Sequence, residues 1–218
     1  MGLESAADMI LTCAFALVSV ITLLSVDHDY QTQKRLTGLS TTLILAVCFM
    51  HIAFLMNSPF HSFDLNPLLI SLLFAAGIVF ALGGVWLCLV GGLRIGSTQA
   101  IFGQTAEVTL CTDRIYRYSR HPQYLGYNLF ALGLALVWQS PISFVITLLV
   151  WVYLHLMIIF EERYLLDILE DPYTEYIERT PRYWNLGQSR QEEPSELNTP
   201  FQPFEPANLA PVEKNEPQ

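Results

Sequence analysis

Residues 125–160 read LGYNLFALGLALVWQSPISFVITLLVWVYLHLMIIF and hold no Asp, Glu, Lys or Arg across 36 positions. As a single helix they would run about 54 Å, nearly twice the ~30 Å of a bilayer core. Gln139-Ser140-Pro141 interrupts the run. A polar pair followed by a proline suited to a first helical position reads as a tight turn. The stretch therefore predicts an antiparallel hairpin of two membrane helices, residues 123–138 and 141–160. Working towards the N-terminus, three more apolar runs are long enough to cross a bilayer, at residues 9–26, 36–56 and 67–93. The expectation is an all-α integral membrane protein with five transmembrane helices and a C-terminal cytoplasmic helical cap.

Charge supports this reading. Charged residues make up 14% of the 218-residue chain and the mean hydropathy is +0.38, whereas an average soluble domain carries about 25% charged residues. The net charge is −9, from 11 cationic and 20 acidic side chains, which argues against a nucleic-acid partner held through phosphate contacts. All 11 Lys and Arg residues fall after the first, third or fifth run. This positive-inside pattern places the N-terminus outside and the C-terminus in the cytoplasm. The first run has no basic segment before it and no A-x-A-like site after it, so a cleaved signal peptide is not expected. Residues 1–160 form the membrane domain, with its catalytic half at about 94–160. Residues 161–190 form an amphipathic cap, with Tyr173, Tyr176 and Ile177 on one side of a short helix starting near Pro172. Residues 191–218, acidic and rich in Pro and Gln, are expected to be disordered. Gly83, Gly84, Gly91 and Gly92 suit close helix packing. Cys13, Cys48, Cys88 and Cys111 lie far apart, three of them in apolar runs. They suit buried packing, and no metal-ligand spacing is present.

The chemistry is expected where the hairpin's two outer ends meet. One end is the stretch TLCTDRIYRYSRHPQYLG, residues 109–126; the other is EERYLLDILEDPYTEYIERTPRYW, residues 161–184. Tyr124 and Glu161 are 37 residues apart but should be neighbours. His121, Tyr124 and Asn128 follow an i, i+3, i+7 pattern and share a helix face. Asn128 and His155 should lie at similar depth, one on each helix. Arg114 and Arg117 read as interfacial anchors, His51 as structural and Trp138 as an interfacial belt residue.

The two blocks resemble the C-terminal half of the isoprenylcysteine carboxyl methyltransferase and phospholipid N-methyltransferase superfamily of integral membrane enzymes. The resemblance rests on Thr109, Leu110, Thr112, Tyr116, Arg120, His121, Pro122, Tyr124 and Gly126, then Glu161, Glu162, Leu165, Tyr173, Tyr176 and Pro181. It covers about 75 residues; the first three runs match only as apolar helices. The resemblance implies S-adenosylmethionine as methyl donor, in contact with Val108, Thr109, Leu110, Cys111, Tyr116, His121, Pro122, Gln123, Tyr124 and Glu161. The catalytic candidates are His155, Asn128 and Arg120. The partners implied are the lipid bilayer and a lipophilic or small apolar methyl acceptor, without metal. The isoprenylcysteine enzymes place an Arg one turn before the Glu pair, where this chain has Met157. Burying a carboxylate beside a thioether is costly. An amine, hydroxyl or thiol acceptor, with His155 as general base, is therefore expected over a prenylcysteine carboxylate. Two alternatives remain at this stage. One is an NADPH-dependent membrane reductase of the sterol-reductase type, which usually has Asn where this chain has His121. The other is a non-enzymatic membrane factor on the same fold.

Overall fold

The computed structural model describes residues 3–57, 64–94, 110–112 and 114–184. The helices among them are α1 (Leu3–Thr32), α2 (Gly38–Asn57), α3 (Pro67–Arg94), α4 (Pro122–Trp138), α5 (Pro141–Leu169) and α6 (Asp171–Arg179). A one-turn 3-10 helix, Arg114–Arg117, precedes α4. No strand occurs among the described residues. Val108, Thr109 and residues 185–218, which include the end of the expected cap and the acidic tail, lie outside them.

Among the described residues four helices are long and apolar enough to cross a membrane: Met9–Thr32 within α1, Gly38–Asn57, Pro67–Gly92 within α3, and Pro141–Leu169. The expected fourth crossing is α4, whose 17 residues span only about 25 Å, short of a ~30 Å hydrocarbon core. It still pairs with α5 as foreseen. Gln139 ends α4 in the left-handed region at φ 51°, its N–H bonds to the Ala135 carbonyl at 2.9 Å, and Pro141 opens α5. The Gln139 side-chain amide also donates to the Ile70 carbonyl at 2.8 Å, tying the turn to the start of α3. α5 does not stop at residue 160; it runs unbroken to Leu169, so the membrane helix and the first part of the expected cap are one rod.

The core draws on α1, α2, α4 and α5. Phe15, Val26, Val47, Phe54, Ala131, Ile146, Val150 and Met157 form its centre. On α1 the buried residues Phe15, Ser19, Thr22, Val26 and Asp29 repeat at spacings of four and three, which is one stripe of a helix. Leu17, Leu24 and other apolar side chains point outward, as a lipid solvent permits. Cys13 belongs to that exposed set, against the expectation of buried packing; Cys48, Cys88 and Cys111 are half-buried, and none of the four forms a disulfide. His51 is fully buried, with Nδ1 3.0 Å from the Tyr127 hydroxyl.

α3 sits outside this core and packs on α4 through backbone contact. A Cβ on Gly84 would stand 2.4 Å from the Phe130 nitrogen, and one on Gly133 would stand 2.4 Å from the Ala81 nitrogen. Gly77 and Gly126 are almost as tight, each with a Cβ 2.7 Å from a backbone atom of the facing helix. Of the glycines singled out in the sequence, Gly84 and Gly91 face α4. A Cβ on Gly83 would meet only Leu129 at 3.8 Å, and one on Gly92 would meet nothing within 4 Å.

The loop after α1 lies at the same end of the molecule as the end of α5. Lys34 pairs with Asp167, Tyr164 donates to the Lys34 carbonyl at 2.7 Å, and Tyr30 stacks on Tyr164 at 4.5 Å.

Candidate functional site

Three segments meet at that end: residues 114–124, the glutamate pair on α5, and residues 173–184. The 3-10 turn buries Tyr116, whose hydroxyl bonds the Gly91 carbonyl and Gln123 Oε1, each at 3.1 Å. Burial pushes the Tyr116 phenol upward, so it stays neutral. Cys88 Sγ contacts the Gln123 carbonyl at 3.3 Å, which anchors the start of α4 to α3. His121 is the N-cap residue of α4 rather than part of it, and Pro122 occupies the first turn.

The two glutamates are adjacent in sequence, and adjacent positions on a helix point about 100° apart. Glu162 is the buried hub. It accepts from Arg182 Nε at 3.1 Å and Arg182 Nη2 at 2.6 Å, pairs with Arg120 Nη2 at 3.3 Å, and lies 3.2 Å from His121 Nε2. The carboxylate can only accept here, so Nε2 carries the proton and the imidazole plane is fixed. The hydrogen bonds to Glu162 push the Arg182 guanidinium further above its usual value.

Fixing Nε2 presents Nδ1 to Glu161. Glu161 Oε2 stands 3.7 Å from His121 Nδ1. Both atoms are buried and neither has a hydrogen-bond partner. The Tyr124 hydroxyl reaches the same carboxylate, and the Tyr124 ring meets the His121 imidazole edge-on at 5.7 Å. Arg120 adds two buried, unbonded donors, Nε and Nη1. A buried polar group without a partner is costly, so this cluster is chemically unfinished and suits a polar ligand.

The segment after α6 folds back over the cluster. Arg120 N donates to the Pro181 carbonyl at 3.0 Å, Ser119 Oγ to the Arg182 carbonyl at 3.2 Å, and Tyr176 Oη to the Tyr116 carbonyl at 2.7 Å. Burial pushes the Tyr176 phenol upward, keeping it a donor. His155 Nδ1 lies 2.6 Å from the Tyr183 hydroxyl.

The structure thus brings His121, Pro122, Tyr124, Glu161 and Arg120 together, with Tyr116 and Gln123 bonded to each other beside them. Leu110 and Cys111 are half-buried, whereas Val108 and Thr109 lie outside the described residues. Asn128 and His155 do not share a level as the sequence suggested. The Asn128 carbonyl accepts from Trp151 Nε1 at 3.2 Å, one turn deeper along α5 than His155, and Asn128 Oδ1 is buried without a partner. The sequence reading missed Arg182 and Tyr183. The only signal for them was their place just after Pro181 in the second block.

Residues 72–171, from α3 through the end of α5, match the family model described as phospholipid methyltransferase. This segment is similar to the phospholipid methyltransferase family. Similar curated relatives are the protein-S-isoprenylcysteine O-methyltransferases of Schizosaccharomyces pombe, 36% identical over 73 residues, and Saccharomyces cerevisiae, 40% over 72 residues. A third is protein-S-isoprenylcysteine O-methyltransferase B of Arabidopsis thaliana, 33% identical over 73 residues. Each match covers 33% of this chain, and 31%, 30% and 37% of the respective relatives. The chain spans about a third of the length of the curated relatives it matches. No solved structure matches it. The phospholipid methyltransferase segment contains His121, Tyr124, Glu161 and Glu162, but it ends before Tyr173, Arg182 and Tyr183.

Proposed function

We propose that the protein transfers a methyl group from S-adenosylmethionine to a lipophilic or small apolar acceptor at the cytoplasmic membrane face. The observation that carries this is the facing pair Glu161 Oε2 and His121 Nδ1, buried, 3.7 Å apart and unbonded, inside the segment that matches the family. The donor has an ammonium, a carboxylate, an adenine and a sulfonium. Glu161 suits the cationic end, Arg120 the carboxylate, and the rings of Tyr116 and Tyr124 a cation or base. Val108, Thr109, Leu110, Cys111, His121, Pro122 and Gln123 complete the holding set. When bound, the donor supplies a methyl group activated by positive sulfur.

What remains for the protein is positioning, which is worth several kcal/mol in a two-substrate reaction. Glu162 locks the His121 ring, and the strap at residues 180–184 covers the cluster and limits water. His155, held by Tyr183, is placed to take a proton from the acceptor nucleophile, and Asn128 Oδ1 offers an acceptor group deeper in the membrane. Met157 is buried and brings no cation, so a neutral or amine acceptor suits this interior better than a carboxylate. In the bilayer we read α4 as a short crossing, the fourth of five in chain order, the N-terminus as external and the C-terminus as cytoplasmic, from the placement of the 11 cations.

Calorimetry with S-adenosylhomocysteine tests the donor site. Glu161→Gln removes one charge-assisted contact and should weaken binding about 10- to 150-fold, equivalent to ~1.5–3 kcal/mol. It should leave the Glu162 network and the fold intact. Unchanged affinity in both Glu161→Gln and Tyr124→Ala would place the donor elsewhere. Stabilisation by NADPH instead of S-adenosylhomocysteine would favour the reductase reading.

A further inference from the structure

A second cleft, of about 430 Å³, opens beside the last turns of α3 and is lined by Trp86, Val90, Ile115, Arg114, Arg117, Tyr118 and Trp184. Its two walls differ in kind. On α3, Trp86 stands at 61% exposure in line with Leu82 and Leu89, at i−4 and i+3, and both of those are also exposed. On a helix apolar enough to cross a membrane, such an exposed strip suits contact with lipid. The opposite wall is the Tyr118 ring stacked on Trp184 at 5.6 Å and 12°.

Arg114 and Arg117 both line the cleft, and among the described residues no carboxylate does. Among the described residues neither pairs with an acid, whereas Lys34, Arg120, Arg179 and Arg182 each do. Arg114 also sits at φ 49°, in the left-handed region, a conformation costly for a residue other than glycine and held only where its surroundings demand it. Two guanidiniums with no acid partner among the described residues therefore meet an aromatic cleft that continues into exposed apolar surface.

We infer that this cleft binds a phospholipid with an anionic headgroup. The phosphate lies between Arg114 and Arg117, which suit its planar, bidentate recognition. The glycerol and upper acyl chain lie against Trp86 and Val90. The apolar wall is what selects a lipid over a soluble phosphate, and none of the residues lining the cleft is among those gathered around Glu161 and Glu162.

The test uses the full chain in phosphatidylcholine nanodiscs, with Trp138→Phe and Trp151→Phe so that Trp86 and Trp184 report. Phosphatidylglycerol with brominated chains, at about 10 mol%, should quench their fluorescence far more than brominated phosphatidylcholine. Two arginines near a membrane surface give an apparent preference of roughly tenfold or more. Arg114→Gln with Arg117→Gln should erase the preference, while Arg179→Gln, on a surface pair with Glu175, should keep it. Equal quenching by the two lipids would overturn the inference. So would a preference that survives the double substitution, or one that millimolar inorganic phosphate abolishes, since that would mark a soluble-anion site.

Discussion

Replacing Glu162 with glutamine should lower the stability of the detergent-purified protein by about 3 kcal/mol or more, because breaking a buried ion pair from one side typically costs ~3–5 kcal/mol. The Glu162 side chain is 7% exposed and Arg120 is 8% exposed, so the guanidinium left behind has little access to water. Arg182 is 37% exposed and contributes less, since solvent screens it. For a chain of this size the thermal midpoint should fall by roughly 6–12 °C. The surface pair Arg179–Glu175 gives the contrast. Both side chains are about two-thirds exposed, so Glu175→Gln should shift the midpoint very little. The Glu162 variant should also bind S-adenosylhomocysteine more weakly, since His121 Nε2 loses the carboxylate that orients it. A Glu162→Gln shift no larger than that of Glu175→Gln would show that the buried hub does not hold this end together.

An added methyl group on Gly84 or Gly133 should be nearly as damaging. Each would place a Cβ 2.4 Å from a backbone nitrogen of the facing helix. Neither contact can relax by turning a side chain, so α3 and α4 must part by about an ångström. Overpacking of this kind typically costs ~1–3 kcal/mol, and Gly84→Ala combined with Gly133→Ala should exceed either alone. Gly92→Ala serves as the control, because a Cβ there meets nothing within 4 Å. Thermal unfolding in one detergent checks the series. If Gly133→Ala matched Gly92→Ala, the close helix crossing would be disproved. Since α4 begins at the site, parting the helices should also weaken donor binding.

The contrast between Gly84 and Gly92 marks the limit of what the sequence could tell. Hydropathy and the Gln139-Ser140-Pro141 break were enough to foresee the hairpin and the earlier helices, because they depend only on length and apolar content. Which face of an all-apolar helix turns inward is not encoded in hydropathy, so Gly83 could not be told from Gly84. For the same reason the tight positions at Gly77 and Gly133 were not singled out, and Gly126 was named only as part of the resemblance. Apolar content also marks where a helix leaves the bilayer but not where it ends, so the run of α5 past Phe160 to Leu169 was not visible. At the site, the meeting of Tyr124 and Glu161 followed from the antiparallel hairpin alone. The division of labour between Glu161 and Glu162 did not, because it depends on a fold-back at residues 180–184 that brings Arg182 and Tyr183 across from a distant part of the chain. Asn128 and His155 were placed at equal depth by counting residues from the helix ends. The count took Tyr124 and Glu161 as level, whereas the bond from Trp151 Nε1 to the Asn128 carbonyl sets Asn128 about one turn from His155 along α5.

The measurement that bears most directly on the central claim is turnover with S-adenosylmethionine carrying a labelled methyl group, using the purified full chain in nanodiscs. Acetyl-farnesylcysteine would be offered beside amine-, hydroxyl- and thiol-bearing lipids. The account predicts label in an amine, hydroxyl or thiol product, lost in Glu161→Gln and strongly reduced in His155→Ala. Robust methylation of the farnesylcysteine carboxylate that survives His155→Ala would contradict the acceptor assignment, and the absence of label in every lipid offered, or in a membrane lipid extract, would contradict methyl transfer itself.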